Sequence, residues 1–404
     1  MRKFLWAIAL QSLSPALQFG LVVLIAQKWG LNAQGYYASK KALLDLLVTA
    51  GLFGLPQSIV LAINRDSADR VALYRNAWFY GVGLFPIFLM ATTFLFEKKH
   101  LESMLWVFVL SAASSAIVVN QLLRGILLTV NDGLRFHLIT VAPAIGIVAA
   151  VVFTLSFDHR DQSVSLAYAF MVAGVLVLLQ TLIIFPPKLV RGSSGRTPSY
   201  RKIFVDGFDV FLQSVWMSLQ TYIALSWSVK SMGLAQAGYV SIGLLLFQSF
   251  LLPLQFVAPL VLNQWSRATP PSLFVLLGKF KWHALVVSLI FGGLVVAGSW
   301  WLPRIFGAEI KGGVSALQIF MVAALPAGMA RVGSLRLMAL RRFRRNALLA
   351  ALRLATFALT LMMVPPQLAT AFPLAIAWLF SEVATLMGYW LPLELQNRKQ
   401  EEPR

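Results

Sequence analysis

A few ionisable and amide side chains interrupt stretches of this sequence that are otherwise apolar, and they mark where binding or ion chemistry would take place. Asn120, Gln121 and Arg124 fall in one such stretch, and Arg331, Ser334 and Arg336 in another. A guanidinium stays charged at physiological pH, and its planar fork bonds phosphate oxygens in pairs, so Arg124 and Arg331 are candidates for holding an anion. Asn120, four residues before Arg124, would share its helical face. Lys40 and Lys41 precede Asp45, and Lys41 lies one helical turn from Asp45, close enough to pair. Gln11, Ser14 and Gln18 form one stripe, while Gln213 follows Asp209 by one turn. Amides in such stripes suit sugar hydroxyls. The carboxylates of Asp45, Asp209 and Glu382 are candidates for a proton or sodium, because an acid inside a membrane helix usually faces a pathway or cavity. Each reading has a structural competitor. Arginines near a helix end snorkel to headgroups, Lys41 and Asp45 form an interfacial ion pair, and amide stripes tie neighbouring helices together.

The elements that must position these side chains are membrane helices. The chain has 404 residues, 59% in the hydrophobic set and 12% charged, with a mean hydropathy of +0.76. A soluble domain carries roughly a quarter charged residues. Apolar runs near the ~20 residues needed to cross a bilayer recur along the whole chain. They place twelve spans at 4–27, 36–63, 77–96, 104–130, 137–157, 164–186, 204–229, 238–263, 282–302, 314–338, 347–365 and 371–393. The basic start Met1-Arg2-Lys3 before an apolar run resembles a signal peptide, but no small-residue cleavage site follows, so it reads as an uncleaved first span. The fold class expected is all-α and polytopic, with about twelve transmembrane helices in two parallel six-helix lobes around a central cavity.

The net charge is +19, from 34 Lys and Arg against 15 Asp and Glu. In a soluble chain that balance would suggest nucleic acid. Here the positive-inside rule absorbs it. With the N-terminus in the cytoplasm, 25 of the basic residues fall on the inner side, including Arg341, Arg342, Arg344 and Arg345, and 9 on the outer side. Both termini are therefore expected inside, in contact with anionic lipid headgroups and with no nucleic-acid partner.

The second half of the chain repeats the first. Gly30-Leu31-Asn32-Ala33-Gln34-Gly35-Tyr36 recurs as Gly233-Leu234-Ala235-Gln236-Ala237-Gly238-Tyr239, at an offset of 203. In that register Leu43 meets Leu246, Phe53 meets Phe256 and Pro56 meets Pro259. The copies follow spans one and seven, which share an orientation. This implies two parallel repeats, 1–195 and 196–404, with a site between them near the midplane, as in transporters. Gly35 and Gly238 are expected to allow a tight turn, and Pro56 and Pro259 to kink or end a helix. Pro15 suggests a further kink, with a hinge as its use. Lys40, Lys41 and Asp45 align with Gly243, Leu244 and Gln248, so these charges are not part of the shared scaffold.

The hairpin with Gly-Leu-x-x-x-Gly-Tyr, followed by a helix ending Gly51-Leu52-Phe53-Gly54-Leu55-Pro56, resembles that of Wzx-type polysaccharide flippases. These belong to the multidrug/oligosaccharidyl-lipid/polysaccharide superfamily. In residues the resemblance covers mainly 30–65 and 233–268. It implies a bacterial inner-membrane carrier, not an enzyme, that moves undecaprenyl-diphosphate-linked oligosaccharide to the periplasmic leaflet alongside polysaccharide polymerase machinery. Arg124 and Arg331 would then hold the diphosphate, with Lys40 and Lys41 attracting it.

No cofactor or metal site is expected. There is no cysteine, and the four histidines are scattered at span ends. No GxxxxGK phosphate loop or HExxH motif occurs in the sequence, so energy would come from an ion gradient or the membrane potential. The intervening loops are too short for a two-substrate periplasmic active site. A multidrug exporter of the same superfamily and an enzyme or scaffold of surface-polysaccharide assembly stay open as alternatives. The mostly basic intramembrane charge favours an anionic cargo over cationic drugs.

Overall fold

Backbone groups in hydrocarbon must find partners within their own segment, which leaves helices as the natural form of such apolar runs. The computed structural model follows that rule. It describes residues 2–95, 101–130, 133–155, 162–190, 195–267, 292–293, 297–339, 342–365 and 370–401. The side chains up to residue 11, at 255–267 and from 391 onward lie outside the described set, as do some at other helix ends.

The helices are α1 (Arg2–Leu52), α2 (Leu55–Asp66), α3 (Arg70–Leu95), α4 (Leu101–Leu128), α5 (Gly133–Leu155), α6 (Gln162–Ile184), α7 (Tyr200–Met232), α8 (Leu234–Arg267), α9 (Gly298–Phe306), α10 (Val314–Ala339), α11 (Phe343–Met362) and α12 (Ala371–Glu401). Among the described residues the one β feature is an isolated bridge between Ala68 and Arg196. Nine helical stretches among them are long and apolar enough to cross a membrane. Helix α7 is not one of the nine; Asp209, Gln213 and Gln220 interrupt its apolar run. Most of the ninth expected span, 282–302, lies outside the described residues.

The first two expected spans form one 51-residue helix, α1, broken at Gly30, which takes φ 80 and ψ 179. The helix runs through Pro15, and Gly30 alone departs from helical dihedrals. The break at Gly30 is therefore the turn expected between spans one and two. A second break, at Phe53 and Gly54 with φ 47 and 69, ends α1 before its expected boundary. Pro56 then occupies the first turn of α2, where a missing amide hydrogen costs nothing. Gly54 lies against Gly207 of α7: a Cβ on Gly54 would come within 2.0 Å of the Gly207 carbonyl oxygen.

The chain divides into two compact units. The first comprises Met1–Leu24 and Lys40–Ser218, the second Ile25–Ser39 and Leu219–Arg404. In the first unit α4 is the central helix, packed on α2, α3, α5 and α6. Its Leu110, Leu123 and Ile126 are fully buried, and Trp106 meets Phe170 edge-on. In the second unit α10 and α12 pack together, with α8 on α10 and α11 on α12. Trp378 organises that core, with Phe247 and Phe357 each presenting an edge to it at 5.6 Å.

Candidate functional site

Lys41, Asp45 and Thr49 occupy successive turns of α1, on one face. Lys41 Nζ lies 2.5 Å from Asp45 Oδ2, yet 53% of the Asp45 side chain is exposed. Thr49 donates to the Asp45 carbonyl at 2.7 Å and lies 2.9 Å from the Ser218 hydroxyl of α7. A charge inside an apolar helix costs about 2.5–3.5 kcal/mol on insertion scales, so an exposed carboxylate there belongs on a hydrated surface rather than against lipid. Gln248, at the repeat-equivalent position of Asp45, is exposed on α8, whereas Leu244, equivalent to Lys41, is 4% exposed. Both copies thus present a polar residue at the same place, and only the first adds charge. Lys40 turns the other way and rests over the Trp106 ring at 5.4 Å.

The other members of the expected stripes in this unit are Ser14 and Gln18 on α1 and Asp209 and Gln213 on α7, all half-buried, with Ser214 exposed. The side chain of Gln11 lies outside the described residues.

Arg124 is half-buried on α4. Its guanidinium donates to Gln121 Oε1 at 3.3 Å and sits 5.1 Å from the Phe136 ring of α5. Asn120 is fully buried and donates to Thr181 at 2.8 Å and to the Ile139 carbonyl at 3.4 Å. That carboxamide fastens α4 to α5 and α6, which places it in the packing and leaves the neighbouring Arg124 as the accessible member of the pair.

The second unit buries a carboxylate. Glu382 of α12 is 2% exposed and forms an ion pair with Arg353 of α11, whose guanidinium also lies 5.2 Å from the Trp378 ring. Arg331 of α10 is half-buried and interacts electrostatically with both Arg353 and Glu382. Glu382 thus has Arg353 as its ion-pair partner and a second guanidinium, Arg331, within electrostatic reach. On the same helix as Glu382, Ser381 accepts from Gln220 at 3.1 Å, and Tyr389 bonds Asn346. Sequence reasoning singled out Glu382 and Arg331 but passed over Arg353. The available signal was its position, as the one charge in α11 beyond the basic first turn.

A polar pocket of about 500 Å³ lies elsewhere in the first unit, lined in part by Asp66, Ser67, Arg196 and Lys202. Lys202 pairs with Asp66 at 2.7 Å. Backbone bonds from Asp69 to Arg196 and from Arg196 to Ser67 pin the segment before α7 to the turn after α2. Among the described residues no cluster of His, Asp and Glu could hold a metal ion.

No family model and no curated protein matches the sequence. Solved structures do match across nearly its whole length. An inward-facing multidrug-resistance MATE transporter of the MOP superfamily superposes with a TM-score of 0.73 at 17% identity, covering 98% of this chain and all of its own. The lipid II flippase MurJ, in an inward closed conformation, gives 0.72 at 13% identity, covering 98% of this chain and 88% of that one. A MOP-superfamily transporter from Pyrococcus furiosus, described as having a binding pocket of reverse polarity, gives 0.63 at 17%, covering 99% and 95%. This likeness establishes the fold: an all-α membrane protein of the MATE and MurJ type.

Proposed function

We propose that this chain is a carrier for an anionic, lipid-linked cargo, and specifically that it moves polyprenyl-diphosphate-linked oligosaccharide from the cytoplasmic to the periplasmic leaflet of a bacterial inner membrane. The observation that carries the reading is the sign of the embedded charge: in the core of the second unit the buried Glu382 is ion-paired with Arg353, and a second guanidinium, Arg331, lies within electrostatic reach of that pair. A surplus guanidinium suits a diphosphate and repels a cationic drug. The fold is compatible, since both flippases and multidrug exporters use it.

In this reading the repeats 1–195 and 196–404 act as the two lobes of an alternating-access carrier, with both termini cytoplasmic. Arg331 and Arg124 bind the diphosphate, Lys40 and Lys41 attract it, and Gln18 and Gln213, with Gln11, bond sugar hydroxyls. The polyprenyl tail stays in lipid, and product is handed to polysaccharide polymerase machinery. Asp45 and Asp209 are the carboxylates placed for proton or sodium coupling. Glu382, neutralised by Arg353, serves as the counter-ion of the basic pair.

Cells lacking the gene, fed a labelled sugar, test this. Lost surface glycan with precursor trapped on the inner leaflet supports the reading. Unchanged glycan with raised drug sensitivity would replace it with a multidrug exporter, and lost glycan with precursor still crossing would replace it with an assembly enzyme or scaffold. Within the first outcome, Arg331→Ala and Arg124→Ala should each abolish export, with Lys partly restoring it. Full activity of both Ala variants sinks the diphosphate assignment.

A further inference from the structure

The pocket between the turn after α2 and the start of α7 contains none of the residues assigned to cargo or ion coupling. Its walls come from two segments far apart in sequence, 62–68 and 196–203, and it holds about 500 Å³, within the range of small-ligand sites. The backbone sets those walls. The Asp69 amide donates to the Arg196 carbonyl at 3.0 Å, and the Arg196 amide donates to the Ser67 carbonyl at 2.9 Å. Ser67 takes φ 53 and ψ 38, a left-handed conformation that a residue with a side chain seldom adopts. At Gly195 a Cβ would come within 2.6 Å of the Asp69 Cα and amide nitrogen, so only glycine allows the two segments to lie this close. Main-chain atoms do the pinning, which leaves the side chains of the segment for another use.

Those side chains are donors of the kind that bind an oxyanion. Arg196, Thr197 and Ser199 on one wall and Ser67 on the other are exposed, and their side chains make no hydrogen bond or ion pair among the described residues. Lys202 is a second cation. Asp66, the one carboxylate in the lining, accepts from Lys202 Nζ on both oxygens, at 2.8 and 2.7 Å. It is thereby neutralised, and it holds that ammonium in place. The surplus positive charge falls on Arg196, whose planar fork matches a pair of phosphate oxygens. Pinning a segment to a turn needs neither a guanidinium nor three hydroxyls around one cavity. We infer that this pocket is a phosphate-ester site: Arg196 takes two phosphate oxygens, and Ser67, Thr197 and Ser199 bond the remaining oxygens. It lies on the side that the charge asymmetry assigns to the cytoplasm, where basic pockets meet anionic headgroups. Exposed apolar side chains, Leu61 on α2 and Val205 on α7, follow within two turns of it, as acyl chains require. The headgroup of an anionic inner-leaflet lipid and a free phosphate ester offer the same chemistry. The site stands whatever the cargo of the carrier.

The test titrates the full-length protein, stripped of lipid in a nonionic detergent, with phosphatidylglycerol and separately with glycerol 3-phosphate. Native mass spectra give the bound mass, and the melting temperature must rise as a ligand saturates the folded state. One tightly held copy per chain is expected, with affinity about tenfold lower in Arg196→Gln and partly kept in Arg196→Lys. Arg344→Gln, at an exposed arginine of α11 in the second unit, should leave the affinity unchanged. Binding of phosphatidylglycerol alone identifies a lipid headgroup as the ligand, whereas binding of both compounds shows that the phosphate ester suffices. Absence of saturable binding by either compound overturns the site. So does an affinity that Arg196→Gln leaves intact, or that Arg344→Gln lowers as much. Arg196→Gln keeps both backbone bonds, so its melting curve without ligand should match that of the native chain. Thr197→Val, which removes a hydroxyl and keeps the shape, should weaken binding about threefold. If Arg196→Gln fails to fold, an affinity unaltered by Thr197→Val overturns the site in its place.

Discussion

Asp45 in the first unit keeps 53% of its side chain exposed beside Lys41 on the same helix, whereas Glu382 in the second is 2% exposed and paired with Arg353 of a different helix. Both are carboxylates in apolar helices, yet their physical roles diverge. An exposed pair one turn apart contributes little to stability and keeps its charges available to solvent, ions or cargo. A buried pair cannot lose one member without stranding the other. Asp45 is thus held by a neighbour on its own helix, whereas Glu382 ties α12 to α11 and has Arg331 within electrostatic reach of the pair.

The sharpest way to break this comparison is Glu382→Gln. Removing one partner of a buried pair costs about 3–5 kcal/mol, so the solubilised protein should lose much of its thermal stability. Adding Arg353→Met should restore most of it. A melting temperature unchanged by Glu382→Gln would show that the two carboxylates do not differ as described. Asn120→Ala comes next. It removes a fully buried carboxamide bonded to Thr181 and Ile139 and should cost about 1–3 kcal/mol, read from the same melting curve.

Asp45→Asn should change stability by less than about 1 kcal/mol while lowering export by roughly tenfold or more. Unaltered export would reduce Lys41 and Asp45 to an interfacial ion pair. The smallest effect is expected for Gln248→Ala, within about 0.5 kcal/mol. A larger loss would mean that this exposed side chain has a packing role its equivalent in the first repeat lacks.

Much of the fold was legible because apolar length and charge bias act locally. Twelve spans could be written from runs of apolar residues, and all but the ninth overlap described helices over most of their length. The breaks were less legible. Pro15 is a strong local signal, but the helix keeps helical dihedrals there, and the turn between the first two spans falls on Gly30 rather than on Gly35, where it was expected. The candidate site was legible in composition only. Arg331, Glu382, Lys41 and Asp45 stood out as charges in apolar runs. Which of them is shielded and which exposed depends on neighbours from other helices. Arg353 was missed because its near neighbours in sequence are apolar and its partner lies 29 residues away on α12.

The sequence by itself determined the helical membrane class, the repeat at 203 residues and the residue types able to hold an anion. These follow from local chain physics: hydrophobic length and the chemistry of each side chain. Only the tertiary structure decided which glycine turns and which allows close approach, that Asn120 is tied into packing, and that Glu382 already has a cation. Those outcomes depend on which helix faces lie against each other. A periodic sequence marks a helix face but does not say what will cover it.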